Sequence, residues 1–226
     1  MRRFMPPAAV LFDNDGLTLD TESAWTRAET TLFARYGQTF TMEHKRALLG
    51  TAPDESARKL ERMLGQPGPQ MSDELYELAI DEVGAGVEPM PGAVALLAAL
   101  GAAGVPVGLV SNASRRFVER GLRGAGLYDA FAVIVTADDV ARPKPAPDPY
   151  LAGAAALGAE PGECAVLEDS PTGLAAGRAA GALTIGIPSL PGVTLEADVV
   201  AASLEDPAVW HALGLEPVEV AEAGLL

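Results

Sequence analysis

The chain is predicted to be an α/β protein, a doubly wound (Rossmann-like) parallel sheet with an all-α helical bundle inserted near its start. Two observations carry this. Five short apolar runs recur between turn residues: AAVLF at 8–12, VPVGLV at 105–110, FAVIV at 131–135, CAVL at 164–167 and LTIGI at 183–187. They are continuous rather than alternating, as in strands covered on both faces. Between them lie Ala- and Leu-rich stretches with helical spacing, GAVALLAALGAAG (92–104), RRFVERGLRGAG (115–126), DPYLAGAAALGA (148–159) and TGLAAGRAAGA (172–182), each closing near a glycine. Alternating strand and helix is the pattern of a doubly wound sheet.

Residues from about 21 to 88 break the rhythm. TESAWTRAETTLFARYG, MEHKRALLG, DESARKLERMLG and SDELYELAIDEVGAG are four helical patterns with no strand-like run among them. EPMPG at 88–92 is the return linker, punctuated by proline and glycine. The expected organisation is a core of residues 1–19 and 90–226 with a helical domain at 20–89. EDPAVWHALGL near the end reads as a closing helix.

The balance of charge narrows the function. A net charge of −15 argues against nucleic acid and against anionic membrane surfaces as partners. No apolar run approaches the roughly 20 residues needed to span a bilayer. Two arginines stand near the start, but the apolar run from Ala8 stops at Asp13 without a cleavage site, so a cytoplasmic protein is expected. Cys164 is the only cysteine, which excludes an intrachain disulfide and a cysteine zinc cluster. His44 and His211 are too isolated to suggest a catalytic pair, and Arg58, Lys59 and Arg62 read as a solvated helix face in preference to a group that meets an anionic substrate.

Ligands of open α/β sheets bind beyond the carboxyl ends of the strands. The polar residues expected there are Asp13 and Asp15, Ser111 and Asn112, Asp138 and Asp139, and Glu168 and Asp169. Ionised carboxylates this close repel each other unless a cation or proton intervenes. Clustered carboxylates suit a hard cation, Mg²⁺ above all where the ligand is a phosphate. An EF-hand calcium loop is excluded, because Gly16 is fourth from Asp13 and a strand precedes it. Asp-x-Asp-Gly alone also fits an ordinary turn. Lys144, between Pro143 and Pro145, reads either as the positive group for a phosphoryl ligand or as a solvated loop lysine.

Taken together, FDNDGLTLDTE (12–22), VSNAS (110–114), RPKPAPD (142–148) and LEDSPTGLAAGRAAG (167–181) resemble the four ordered motifs of the haloacid dehalogenase (HAD) superfamily. The helical insertion resembles the α-helical cap of the subgroup that includes β-phosphoglucomutase and many small sugar-phosphate phosphatases. The resemblance implies that Asp13 is a nucleophile forming an aspartyl-phosphate and that Asp15 is the general acid and base. It implies that Ser111, with the amides of Asn112 and Ala113, holds phosphoryl oxygens while Lys144 neutralises charge. It further implies Mg²⁺ on the Asp13 carboxylate, the Asp15 main-chain carbonyl and Asp169, with Glu168 helping directly or through water. A cation is needed on magnitude: a carboxylate at roughly 4 Å from a doubly charged phosphate, at an effective dielectric of about 20, is opposed by about 8 kcal/mol.

Mutases of that subgroup carry a His twelve residues beyond the nucleophile, where this chain has Trp25, and an Arg shortly after a cap Gly, where counting from Gly50 reaches Pro53. SAWTRAE (23–29) looks closer to the sugar- and polyol-phosphatase members, with Trp25 either a substrate-facing wall or a buried aromatic. The expectation is a monomeric, Mg²⁺-dependent phosphatase of small phosphorylated molecules. A hexose-phosphate mutase and a regulatory module that is phosphorylated without turnover stay open as alternatives.

Overall fold

The computed structural model describes residues 6–48, 53–189 and 192–216. Gly50, from which the mutase comparison counts, and the two arginines near the start lie outside these residues. The chain forms two compact units, one from the described residues of Met1–Thr18, Pro89–Arg115 and Asp129–Leu226, the other from those of Leu19–Glu88 and Arg116–Tyr128.

The first unit is built on a parallel sheet of six strands in the order β3-β2-β1-β4-β5-β6. These are β1 (Ala9–Phe12), β2 (Val107–Val110), β3 (Val133–Val135), β4 (Cys164–Glu168), β5 (Leu183–Gly186) and β6 (Val199–Val200). β1, β2 and β4 are buried along their whole length, as their uninterrupted apolar runs predict. β3 departs from that pattern. It lies at the sheet edge, so Val133 and Ile134 are only half-buried.

Helices α5 (Ala93–Ala102), α7 (Asp148–Ala156), α8 (Pro171–Ala180) and α9 (Pro207–Ala212) complete this unit. Leu11, Val110 and Val166 share one core cluster with Tyr150 and Ala154 of α7 and Ala176 of α8. α8 begins as its sequence dictates, with the Ser170 hydroxyl accepting from the Gly173 amide and Pro171 in the first turn. The order of the strands reverses at β1, with β2 on one side and β4 on the other, and this is the point at which such sheets bind ligands.

The second unit is helical: α1 (Thr21–Arg35), α2 (Met42–Leu48), α3 (Pro53–Leu64), α4 (Gly68–Ala85) and all but the first residue of α6 (Arg115–Gly124). Asp20 caps α1 by accepting from the Ser23 amide at 3.3 Å. Leu32, Phe33, Leu60, Met71 and Ile80 form its buried interior. Arg27–Glu82 and Arg35–Glu74 join α1 to α4, each at 2.7 Å, and Arg116–Glu77 joins α6 to α4 at 2.6 Å. Among the described residues no helix is long and apolar enough to cross a membrane.

Candidate active site

Asp13 follows β1, Ser111 follows β2 and Glu168 ends β4, so three adjacent strands deliver polar groups at their carboxyl ends. Lys144 arrives from the proline-rich loop before α7. Its ammonium donates to Asp13 Oδ1 at 2.6 Å, Glu168 Oε1 at 2.6 Å and the Val110 carbonyl at 2.8 Å. Three donors meet three acceptors, which makes burial of this lysine tolerable. Its backbone is held too. The Lys144 amide donates to Asn112 Oδ1 at 2.9 Å, and Asn112 Nδ2 donates to the Lys144 carbonyl at 3.0 Å. Outside this turn, Arg142 and Asp148 form a two-bond ion pair at 3.0 and 2.9 Å.

Asp13 is fixed by its own backbone, its amide donating to the Leu167 carbonyl and its carbonyl accepting from the Thr18 hydroxyl at 2.5 Å. Asp15 accepts from the Ser111 hydroxyl at 3.1 Å, and that hydroxyl accepts in turn from the Ala113 amide at 2.9 Å. Asp169 accepts from Ser189 at 2.5 Å. Two glycines make the assembly possible. Gly16 has φ of 78°, and a Cβ there would lie 2.5 Å from Asp169 Oδ2; a Cβ on Gly173 would overlap the Glu168 carboxylate outright.

Charge is in surplus here. Burial pushes the Asp13 carboxyl well above the usual carboxylate range, and Glu168, Asp169 and Asp15 push it further against the pull of Lys144. Burial, with Glu168 and Asp15, pushes Asp169 up to about 6 despite its bond from Ser189. Burial alone would drive Lys144 down, yet Asp13 and Glu168 raise it above its ordinary value, so it is a fixed cation. Asp13, Glu168 and Asp169 can each offer an oxygen with all three within 4.8 Å of one another. An all-oxygen acidic donor set short of positive charge fits a hard divalent cation.

The site thus gathers Asp13, Asp15, Ser111, Lys144, Glu168 and Asp169. Asn112 is in it through its side chain, and Ala113 through an amide engaged with Ser111. Trp25 belongs to the helical unit, where it stacks on Phe117 at 5.7 Å and lies 6.0 Å from Tyr76. Asp138 and Asp139 serve their own turn: Asp138 accepts from the Arg115 amide, and Asp139 from Thr136 and the Arg115 guanidinium. Their place after a strand is explained by capping. Sequence reasoning missed Thr18, Ser170 and Ser189, single hydroxyls without a pattern. It also missed Tyr150, whose hydroxyl donates to Glu168 Oε1 at 2.6 Å. Burial and then Glu168 hold that phenol protonated by raising it well above its ordinary value.

A parallel sheet with an acidic, lysine-bridged cluster at its strand-order reversal is the arrangement that the sequence motifs lead one to expect of a HAD-like protein, and comparison with known proteins agrees. Residues 10–187 match the family model described as haloacid dehalogenase-like hydrolase, and the chain belongs to that family. It is 37% identical over 201 residues to hexitol phosphatase A of Escherichia coli (strain K12), covering 86% of this chain and 90% of that protein. It is 34% identical over 205 residues to a bifunctional riboflavin kinase/FMN phosphatase of Arabidopsis thaliana, covering 88% of this chain and 54% of that protein, so it spans about half of the latter's length. Among solved structures, a HAD family hydrolase from Deinococcus radiodurans R1 with bound phosphate and sodium superposes with a TM-score of 0.76 at 32% identity, covering 94% of this chain and 99% of that one.

Proposed function

We propose that this protein is a Mg²⁺-dependent phosphatase that hydrolyses small phosphomonoesters, sugar or polyol phosphates, through an aspartyl-phosphate on Asp13. The observation that carries the reading is the convergence of Asp13, Asp15, Ser111 and Lys144 on one strand-end cluster, with a donor set for a cation beside them. The similarity to hexitol phosphatase A supports the substrate class. Asp13 and Asp169, with the main-chain carbonyl of Asp15, would hold Mg²⁺, Glu168 standing beside them. When bound, Mg²⁺ supplies positive charge to the phosphoryl oxygens.

Asp13 attacks phosphorus, and the bond from phosphorus to the ester oxygen breaks. Asp15 gives its proton to the departing alkoxide, then takes one from the water that attacks the aspartyl-phosphate, which releases inorganic phosphate and restores Asp13. Lys144, fixed by three acceptors and by the Asn112 clamp, holds Asp13 in line and offsets charge at the phosphoryl group. Ser111 orients Asp15.

Phosphate release from p-nitrophenyl phosphate is expected to require Mg²⁺ and to vanish in Asp13→Asn; substantial activity in that variant would refute the nucleophile. Trp25 in place of a cap histidine weighs against a mutase, and positional isomerisation of a sugar phosphate without free phosphate would restore that reading.

A further inference from the structure

Glu168 is fully buried, and its carboxylate meets four donors. Oε1 accepts from Lys144 and from Tyr150, both at 2.6 Å, while Oε2 accepts from the Ser170 hydroxyl at 2.9 Å and the Ser170 amide at 3.3 Å. A carboxylate has about four lone-pair sites, so these donors occupy them all. A cation that took an oxygen of Glu168 would have to displace one of them. Of the four donors, Ser170 is tied to the start of α8 and Lys144 to Asp13. The remaining one is the phenol.

Tyr150 is 1% exposed and shares one core cluster with Leu11, Val110 and Val166. Packing alone would be met by phenylalanine. The hydroxyl would be a cost in this core without its bond to Glu168. The Lys144 ammonium lies 4.9 Å from the ring centroid, so ring and hydroxyl bracket the lysine and its acceptor together.

We propose that Tyr150 is a positioning residue: its hydroxyl fills Glu168 Oε1, commits that carboxylate to Lys144 and keeps it out of the metal's coordination sphere. Asp13 and Asp169 are then the carboxylate ligands, and Glu168 is the anchor that fixes the lysine against the nucleophile. This rests on the phosphatase reading above.

The test is Tyr150→Phe in the full chain, which keeps the ring and removes one oxygen. Mg²⁺ affinity is measured by calorimetry without substrate, kcat and KM on p-nitrophenyl phosphate, and the melting temperature alongside. The expected result is a kcat lowered about tenfold, as for the loss of an outer partner of a site, with KM within about twofold and Mg²⁺ affinity unchanged or tighter. Mg²⁺ affinity weakened about fivefold or more would make Glu168 a ligand that Tyr150 orients, and would overturn the proposal. A wild-type kcat, whatever the melting temperature, would reduce Tyr150 to packing and also overturn it. A wild-type protein with no Mg²⁺-dependent phosphate release would sink the functional reading instead, and the substrate-free titration would still show whether Glu168 is a ligand.

Discussion

Two lysines of this chain sit between two carboxylates, one in each unit. In the sheet unit Lys144 bridges Asp13 and Glu168 at 2.6 Å each; in the helical unit Lys45 of α2 bridges Glu22 and Glu29 of α1 at 3.0 and 3.1 Å. The motifs look alike, yet their chemistry differs. Glu22 and Glu29 stand two turns apart on one helix, Glu22 is exposed enough to be solvated, and the lysine fastens α2 to α1. Burial raises the Glu29 carboxyl, with Lys45 pulling it back down. Around Lys144 two further carboxylates, Asp169 and Asp15, act on Asp13, so one lysine leaves a large negative remainder. A buried ion pair therefore does not mark a site. Uncompensated charge, held rigid at strand ends, does.

The sharpest separation of the two centres is expected from lysine removal. Lys144→Met leaves buried carboxylates unpaired and should cost about 3–5 kcal/mol in denaturant unfolding. It should also lower kcat by about a thousandfold. Lys45→Met should cost about 1–2 kcal/mol, between exposed and buried pairs, with kcat within about twofold. An inactive but stable Lys45→Met protein would erase the distinction.

Glycine substitution sharpens it by geometry. Gly173→Ala would drive a methyl into the space that the Glu168 carboxylate fills, whereas a Cβ on Gly121 of the helical unit meets the end of Leu19 at 3.3 Å. The first should cost about 2–3 kcal/mol and most of the activity, the second less than about 1 kcal/mol and none. Chemical denaturation and p-nitrophenyl phosphate assays on both variants check this.

The smallest expected effect concerns a carboxylate with neither lysine nor burial. The Thr184 amide and hydroxyl, each at 2.8 Å, hold the Asp198 carboxyl below its ordinary value of 3.8. A lowered folded value means stability that is present above pH 3.8 and is lost as pH falls through the folded value. Asp198→Asn should lower neutral-pH stability by less than about 1 kcal/mol and flatten the acid limb of the unfolding curve. An acid limb identical to wild type would contradict this.

Much of this architecture was legible in the residues. Continuous apolar runs mark β1, β2 and β4 because strands covered on both faces leave no room for alternation. β6 was not legible, since two valines carry no periodicity. α6 follows a strand and reads like any crossover helix, and only contacts such as Arg116–Glu77 and Trp25–Phe117 assign it to the helical unit. In the site, the aspartates and Lys144 are visible because turn chemistry and prolines frame them. Tyr150 is hidden: in DPYLAG it looks like one more core aromatic, and its partner lies 18 residues away. Asn112 shows a further limit. Its amide group matters for the Lys144 backbone, a role that no local pattern announces.

The central claim is that Asp13 itself carries the phosphoryl group during turnover. Acid quenching of the protein a few milliseconds after mixing with Mg²⁺ and a phosphomonoester, followed by peptide mass spectrometry, tests it directly. The expected result is a transient phosphoryl group on the peptide containing Asp13, absent without Mg²⁺ and absent in Asp13→Asn. Steady phosphate release with no such adduct at any quench time, or an adduct on another residue, would contradict the account.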